Sequence, residues 1–128
     1  MPDLILRGRI LSFREEPAGY DDTASFRYIE DGGIRIRDGR IAGCADFSTL
    51  ETDGAEIVDH RPHLIVPGFI DAHTHYPQMQ VIASWGAKLL DWLEKYTFPE
   101  EIKFSDPEHC RRIAGHFLDT LTAHGTTT

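Results

Sequence analysis

Val66-Pro67-Gly68-Phe69-Ile70-Asp71-Ala72-His73-Thr74-His75 opens apolar and closes on two histidines one residue apart. Ile65 and Val66 lead into it, and Phe69 and Ile70 read as a buried strand. On a strand, residues i and i+2 face the same way. His73 and His75 therefore present both imidazoles to one side. Two rigidly placed ring nitrogens are a way to begin holding one metal ion. Asp71 shares that face two residues earlier. It is read as a carboxylate that orients His73 from behind or caps neighbouring backbone amides, rather than as a ligand. Pro77 closes the strand, because it has no N–H to give to a ladder.

Downstream the pattern turns helical. Lys88 to Tyr96 places Leu89, Leu93 and Tyr96, with Leu90 and Trp92 nearby, at helical spacing, and Pro99 is expected to end that helix. Ser105-Asp106-Pro107-Glu108 reads as a capping box with Ser105 as N-cap. The helix it opens, 105–124, carries Cys110, Ile113, Ala114, Phe117, Leu118 and Leu121 on an apolar stripe. His109, Arg111, Arg112, His116, Asp119 and Thr120 lie on the other face. Gly125 stands where a helix C′ glycine belongs, and Thr126-Thr127-Thr128 is β-branched and starts a strand. Strand 67–75, helix 105–124 and strand 126 onward make a βαβ start with a right-handed crossover to a parallel neighbour. A parallel strand is covered on both faces by further elements, and a complete α/β barrel takes roughly 200 to 400 residues. The expectation is an N-terminal piece of a longer protein, or a truncated gene product.

Upstream of residue 67 the chain reads as β-rich. Residues 4–13 are apolar with Gly8 suggesting a bulge, 14–24 read as a loop, and 26–30 as a short strand. Gly33 to Arg37 and Arg40 to Cys44 flank Asp38-Gly39, the signature of a two-residue hairpin turn. Ile34, Ile36, Ile41 and Ala45 are expected on its buried faces. Residues 46–54 have room for one helical turn, and 56–59 form a strand that ends at an Arg61-Pro62 turn. About five short strands result, a thin core for an independent domain. The domain reading is 1–66 β-rich and 67–128 the start of a barrel. The fold class is α/β.

Composition narrows the function classes. With 41% hydrophobic and 27% charged residues the chain is globular. It has no run long enough for a membrane span and no basic region ahead of an apolar one at Met1-Pro2-Asp3. The formal net charge of −8 makes nucleic acid and anionic membranes poor partners. Cys44 and Cys110 are too few for a disulfide framework and read as buried thiols of a reducing compartment, hence cytoplasmic.

The segment 76–104 leaves the end of a parallel strand where barrel enzymes carry their chemistry. It exceeds the roughly 12–15 residues of an ordinary connection. A catalytic zinc site takes a third protein ligand and an open position for water. His60, His63, His109, His116 and His124 are read as surface or turn histidines, so that ligand is not found here. Gln78 offers one acceptor and two donors, and by itself is an ordinary loop residue. Trp85, Trp92, Tyr96 and Phe98 could stack a flat ring, although Trp92 and Tyr96 are first read as packing residues. Glu94, Glu100 and Glu101 are read as solvated.

These residues resemble a known family. Pro67 through His75 is similar to the first-strand metal motif of the amidohydrolase superfamily. His75-x-x-Gln78, followed by Leu89-Leu90-Asp91-Trp92-Leu93-Glu94-Lys95-Tyr96-Thr97-Phe98-Pro99-Glu100-Glu101, resembles the guanine deaminases within it. Gly125-Thr126-Thr127-Thr128 is similar to the start of their second barrel strand, and residues 1–66 to half of their composite β domain, whose other half is C-terminal. The resemblance covers this whole chain and only the first part of the family's length. It implies a homodimeric enzyme that converts guanine to xanthine and ammonia. One zinc would be held by His73 and His75, with a further histidine and an aspartate from later strands, and Gln78 would hold the base. The catalytic proton shuttle would lie downstream of Thr128. Zinc would bring a water pKa to about 7, and the leaving amine would need a proton. The 128 residues alone are expected to be inactive and to hold zinc poorly. Alternatives are another amidohydrolase acting on an amino-heterocycle, chlorohydrolase-like or cytosine-type, and a non-catalytic relic. A cupin-like β domain fails on the helical second half.

Overall fold

Strand β1 (Asp3–Phe13) is the spine of the first unit in this computed structural model, which describes residues 3–128. It pairs antiparallel with β2 (Phe26–Arg37) and parallel with β4 (Ala55–Ile65). β3 (Arg40–Asp46) pairs antiparallel with β2, giving the order β3-β2-β1-β4. The central position of β1 follows from its composition: Ile5 and Ile10 are buried there, with buried Ile29 of β2 opposite Ile10. This unit comprises Met1–Pro67 and the second comprises Gly68–Thr128.

The hairpin forms at Asp38-Gly39 as expected, with φ of 51° and 73°. Both central residues of a type I′ turn require positive φ, which glycine adopts without strain and aspartate tolerates. The bulge expected at Gly8 is present, with the β1–β2 register shifting between Gly8 and Ile10. Other expectations are corrected. Residues 26–30 and 33–37 form one strand rather than two, so the unit has four strands. The Arg61-Pro62 turn lies inside β4, where the register slips from Arg7↔Asp59 to Arg9↔Leu64. β4 is an edge strand, and an edge strand absorbs a proline within such an irregularity. Ile41 is exposed rather than core-facing, because β3 is the other edge of the sheet. Ile10, Ile34, Ile41, Cys44, Ile65 and neighbours line an open apolar groove of about 300 Å³. Cys44 and Cys110 are free thiols, half-buried rather than fully enclosed.

An arginine cluster ties the sheet together. Arg35, only 9% exposed at its side chain, donates to Asp3 Oδ2 at 2.8 Å and to the Glu51 carbonyl at 2.7 Å. Arg37 donates to the same Asp3 oxygen at 2.8 Å. Hydrogen bonds from Arg37, then Arg35, hold the Asp3 carboxyl down at about 2, against an ordinary 3.8. A carboxylate depressed in the folded state contributes stability that is complete above the unfolded value and lost as pH falls through the folded one. The melting-temperature gap between the wild-type chain and Asp3→Asn is therefore expected to be constant above pH 3.8, to shrink between 3.8 and 2, and to close below. A gap independent of pH across that window would remove Asp3 from the acid transition.

In the second unit α1 (Leu89–Trp92) passes through a π turn, Leu93–Thr97, into α2 (Phe98–Ile102). The expected stop at Pro99 is thus corrected. A proline ring clashes with the carbonyl four residues back in an α-helix, and the wider π turn just ahead of it relieves that constraint. Helix α3 (Pro107–Ala123) is capped by Asp106, whose Oδ1 accepts from the Glu108 amide at 2.9 Å. Ser105 is not the cap. Its hydroxyl donates to the Ile102 carbonyl at 2.9 Å and closes the preceding turn. Ile113 is the buried residue of α3, while Leu118 is exposed, so the apolar stripe is narrower than its pattern implied.

The C-terminus of α3 forms a Schellman motif. The Thr126 amide donates to the Leu121 carbonyl at 3.0 Å and the Gly125 amide to Thr122 at 3.0 Å. Gly125 has a φ of +84°, as a C′ glycine should. The chain then runs parallel to Phe69: Phe69 N to Gly125 O is 2.7 Å, Thr127 N to Phe69 O 2.9 Å, and Asp71 N to Thr128 O 2.8 Å. The expected strand over 67–75 is reduced to this short ladder, and residues 72–75 lie outside it. Phe69 and Ile70 are exposed rather than buried, because within this unit only the segment 125–128 pairs with them. The α/β class stands: a β-rich first part, then a strand segment, a helix and a parallel return.

Candidate metal and substrate site

The site begins where the Phe69–Asp71 ladder ends. The Asp71 carboxylate turns back and accepts from the His73 backbone amide at 3.1 Å. An aspartate bonding two residues onward fixes a tight local turn. Asp71 thus touches the main chain of His73, and not its ring. His73 and His75 bring their Nε2 atoms within 2.8 Å of each other, with ring centroids 4.8 Å apart. Both are solvent-exposed.

Two lone-pair nitrogens this close repel unless a proton or a cation stands between them. Nitrogens each about 2.0–2.1 Å from one zinc in tetrahedral array lie about 3.3 Å apart, so the pair opens by only about half an ångström to share an ion. Among the described residues no group of three or more His, Cys, Asp or Glu side chains gathers for a metal. The histidine pair offers two ring nitrogens to one point, held by a short backbone turn.

Immediately after His75 comes a 3-10 segment, Tyr76–Val81, started by Pro77 in its first turn. The Tyr76 ring packs edge-on against Phe104 at 5.3 Å and lies 6.3 Å from Phe117 of α3. Gln78 donates its amide N–H to the His75 carbonyl at 3.0 Å. Its side-chain Nε2 donates to Glu101 Oε1 at 3.2 Å. The structure therefore brings together His73, His75 and Gln78 within one short stretch, with Glu101 reaching in from α2. Trp92 donates its indole N–H to the Ser84 carbonyl at 3.0 Å, holding the loop to the helix. Trp85 and Phe98 are exposed, whereas Trp92 and Tyr96 are half-buried.

Three readings of individual residues are corrected. Glu101 is not free in solvent but half-buried and bonded to Gln78. Glu100 is buried, with Lys103 Nζ 2.6 Å from Oε2. His109 is not a surface histidine: its ring meets Phe104 edge-on at 4.7 Å, and its Nε2 lies 4.0 Å from Glu100 Oε1. Arg112 can only donate, so His109 Nδ1 accepts from it at 3.0 Å and the ring proton sits on Nε2. Thr97 Oγ1, Glu100 Oε1 and His109 Nε2 are all buried without a partner. The signal that could have found Glu100 was the i+3 spacing to Lys103, while none near it in the chain marked Glu101. That spacing is meaningful only if the helix continues through Pro99.

Residues 64–128 match the Amidohydrolase family. The chain belongs to the amidohydrolase family. This amidohydrolase chain is 38% identical over 108 residues to the guanine deaminase of Escherichia coli (strain K12), covering 82% of this chain and 25% of that protein. It is 37% identical over 131 residues to the probable guanine deaminase of Deinococcus radiodurans, covering 97% and 29%. The crystal structure of guanine deaminase from Bradyrhizobium japonicum superposes with a TM-score of 0.91 at 36% identity, over 99% of this chain and 28% of that one. The amidohydrolase chain thus spans between 25% and 29% of the length of these two relatives.

Proposed function

We propose that this chain is the N-terminal part of a zinc-dependent guanine deaminase, converting guanine and water to xanthine and ammonia. The observation that carries the reading is the convergence of His73 and His75 at 2.8 Å, one short turn ahead of Gln78. The identity to guanine deaminases over nearly the whole chain supports it. His73 and His75 would hold the metal through Nε2. Asp71 would fix the backbone from which His73 projects, through its bond to the His73 amide. Gln78 would hold the base. A bound zinc would supply hydroxide near neutral pH as the nucleophile for the amino-bearing ring carbon. A general acid is then needed at the departing amine, and we assign no residue of this chain to that role.

The remaining ligands and the proton shuttle would come from sequence following Thr128. The same reading carries a cytoplasmic homodimer with a small-molecule substrate and no nucleic-acid or membrane partner. The net charge of −8 supports the exclusion of nucleic acid. No helix among the described residues is long and apolar enough to cross a membrane.

The test is a substrate panel assayed on the intact polypeptide that carries these residues. Guanine is expected to yield xanthine and ammonia, with adenine and cytosine turned over at least about a hundredfold more slowly, a discrimination available to a site that hydrogen-bonds its substrate. The 128 residues alone are expected to give no turnover. Preference for another amino-heterocycle would replace the guanine reading. Zinc-dependent turnover by the 128 residues alone would overturn the incomplete-site reading.

A further inference from the structure

We propose that Glu101 is a positioning residue that sets which end of the Gln78 carboxamide faces the substrate, an inference that rests on the guanine reading. A carboxamide is nearly symmetric in shape and opposite in chemistry at its two ends: the oxygen only accepts, the nitrogen only donates. A half-turn about the last side-chain bond swaps them. A free glutamine at a binding site therefore presents both faces and selects weakly. Here the swap is blocked. The Glu101 carboxylate only accepts, so the amino end of Gln78 must face it, as the 3.2 Å contact from Nε2 to Oε1 has it. The carbonyl oxygen of Gln78 is turned to the other side, where it takes an N–H from a bound ring. Guanine offers such donors at N1 and at its 2-amino group. Adenine has a bare acceptor at N1.

The anchor is itself fixed. Glu101 stands on α2 directly after Glu100, which is 7% exposed, and one turn after Thr97, which is 1% exposed. Glu100 is clamped by Lys103 and stands beside the ring of His109. The backbone of Gln78 is tied to the His75 carbonyl. The Gln78 residue is thus fixed at its backbone by the histidine turn and at the amino end of its carboxamide by α2. Such fixing before the substrate arrives strengthens recognition by removing the ordering cost of binding.

A double-mutant cycle on guanine kcat/KM in the intact polypeptide tests this, with Gln78→Ala, Glu101→Ala, the double variant and Glu101→Gln. Gln78→Ala and Glu101→Ala are each expected to lower kcat/KM about tenfold, mostly through KM. If Glu101 acts through Gln78, the double variant is no worse than Gln78→Ala alone. Glu101→Gln is expected to fall between wild type and Glu101→Ala, because its oxygen can still accept from Gln78 while its own NH2 lets the Gln78 carboxamide swap ends. Glu101→Met, of similar length, replaces Glu101→Ala if the alanine variant melts early. Losses that multiply in the double variant, or a Glu101 variant with wild-type KM, overturn the positioning role while leaving the guanine reading intact. An intact wild-type polypeptide without guanine turnover overturns that reading, and this inference with it.

Discussion

Replacing His73 with alanine is expected to strip the intact polypeptide of its metal and to lower guanine turnover by about a thousandfold or more, the scale on which a metal supplies hydroxide at neutral pH. His75→Ala is expected to do the same. The physical reason is the geometry of the pair: each Nε2 lies 2.8 Å from the other, so each is half of one bite. Removing either leaves a single imidazole where two were set by the same turn. Asp71→Asn is expected to be milder, because an asparagine oxygen still accepts from the His73 amide. Asp71→Ala removes the bond and falls between, about 10–100-fold, as for partners that orient ligands. Metal-to-protein ratio by elemental analysis, measured beside kcat/KM, checks the order. Full metal content in both histidine variants would detach the pair from the metal, whatever happened to turnover.

Truncating Ile5 to alanine is expected to cost the first unit about 2–5 kcal/mol, the range for a fully buried branched side chain. Ile5 is 0% exposed on the central strand, with Arg35 opposite on β2 and Ile57 opposite on β4. It has neighbours on both sides that cannot close over a void without shifting the sheet. Few other residues share the load, since Ile10 and Ile29 are its only fellow buried aliphatics among the described residues of this unit. Denaturant melts of wild type and Ile5→Ala, followed by hydrogen exchange at β1 amides, measure the loss. Ile41→Ala is the control: exposed on the edge strand, it is expected to shift the midpoint little. Equal losses at the two positions would mean that β3 is covered and that the core extends beyond β1.

Periodicity and turn chemistry carried the local elements. Asp38-Gly39 demanded its turn, Gly125 its left-handed C′ position, and residues 107–123 their helix, each from residue types within a few positions. Spacing singled out His73 and His75, but a backbone turn at Asp71, and not the strand that the i, i+2 alternation assumed, brings their rings together. The elements that depart from local rules depend on distant partners. Pro99 ends a helix on local rules, and only the π turn before it lets the helix continue. Arg61-Pro62 is a turn on local rules, and only pairing with β1 makes it an irregularity in a strand.

The sequence by itself determined the α/β class and the family resemblance, and singled out the histidine pair and Gln78 as candidates, because these rest on residue type and short-range spacing. Only the tertiary structure decided where the glutamates go. Glu100 and Glu101 are adjacent and chemically identical, and the only local difference is Lys103 three residues on from Glu100. Packing buries the first beside His109 and points the second at Gln78. A carboxylate's role is fixed by the donor that reaches it, and that donor stands 23 residues away in the chain.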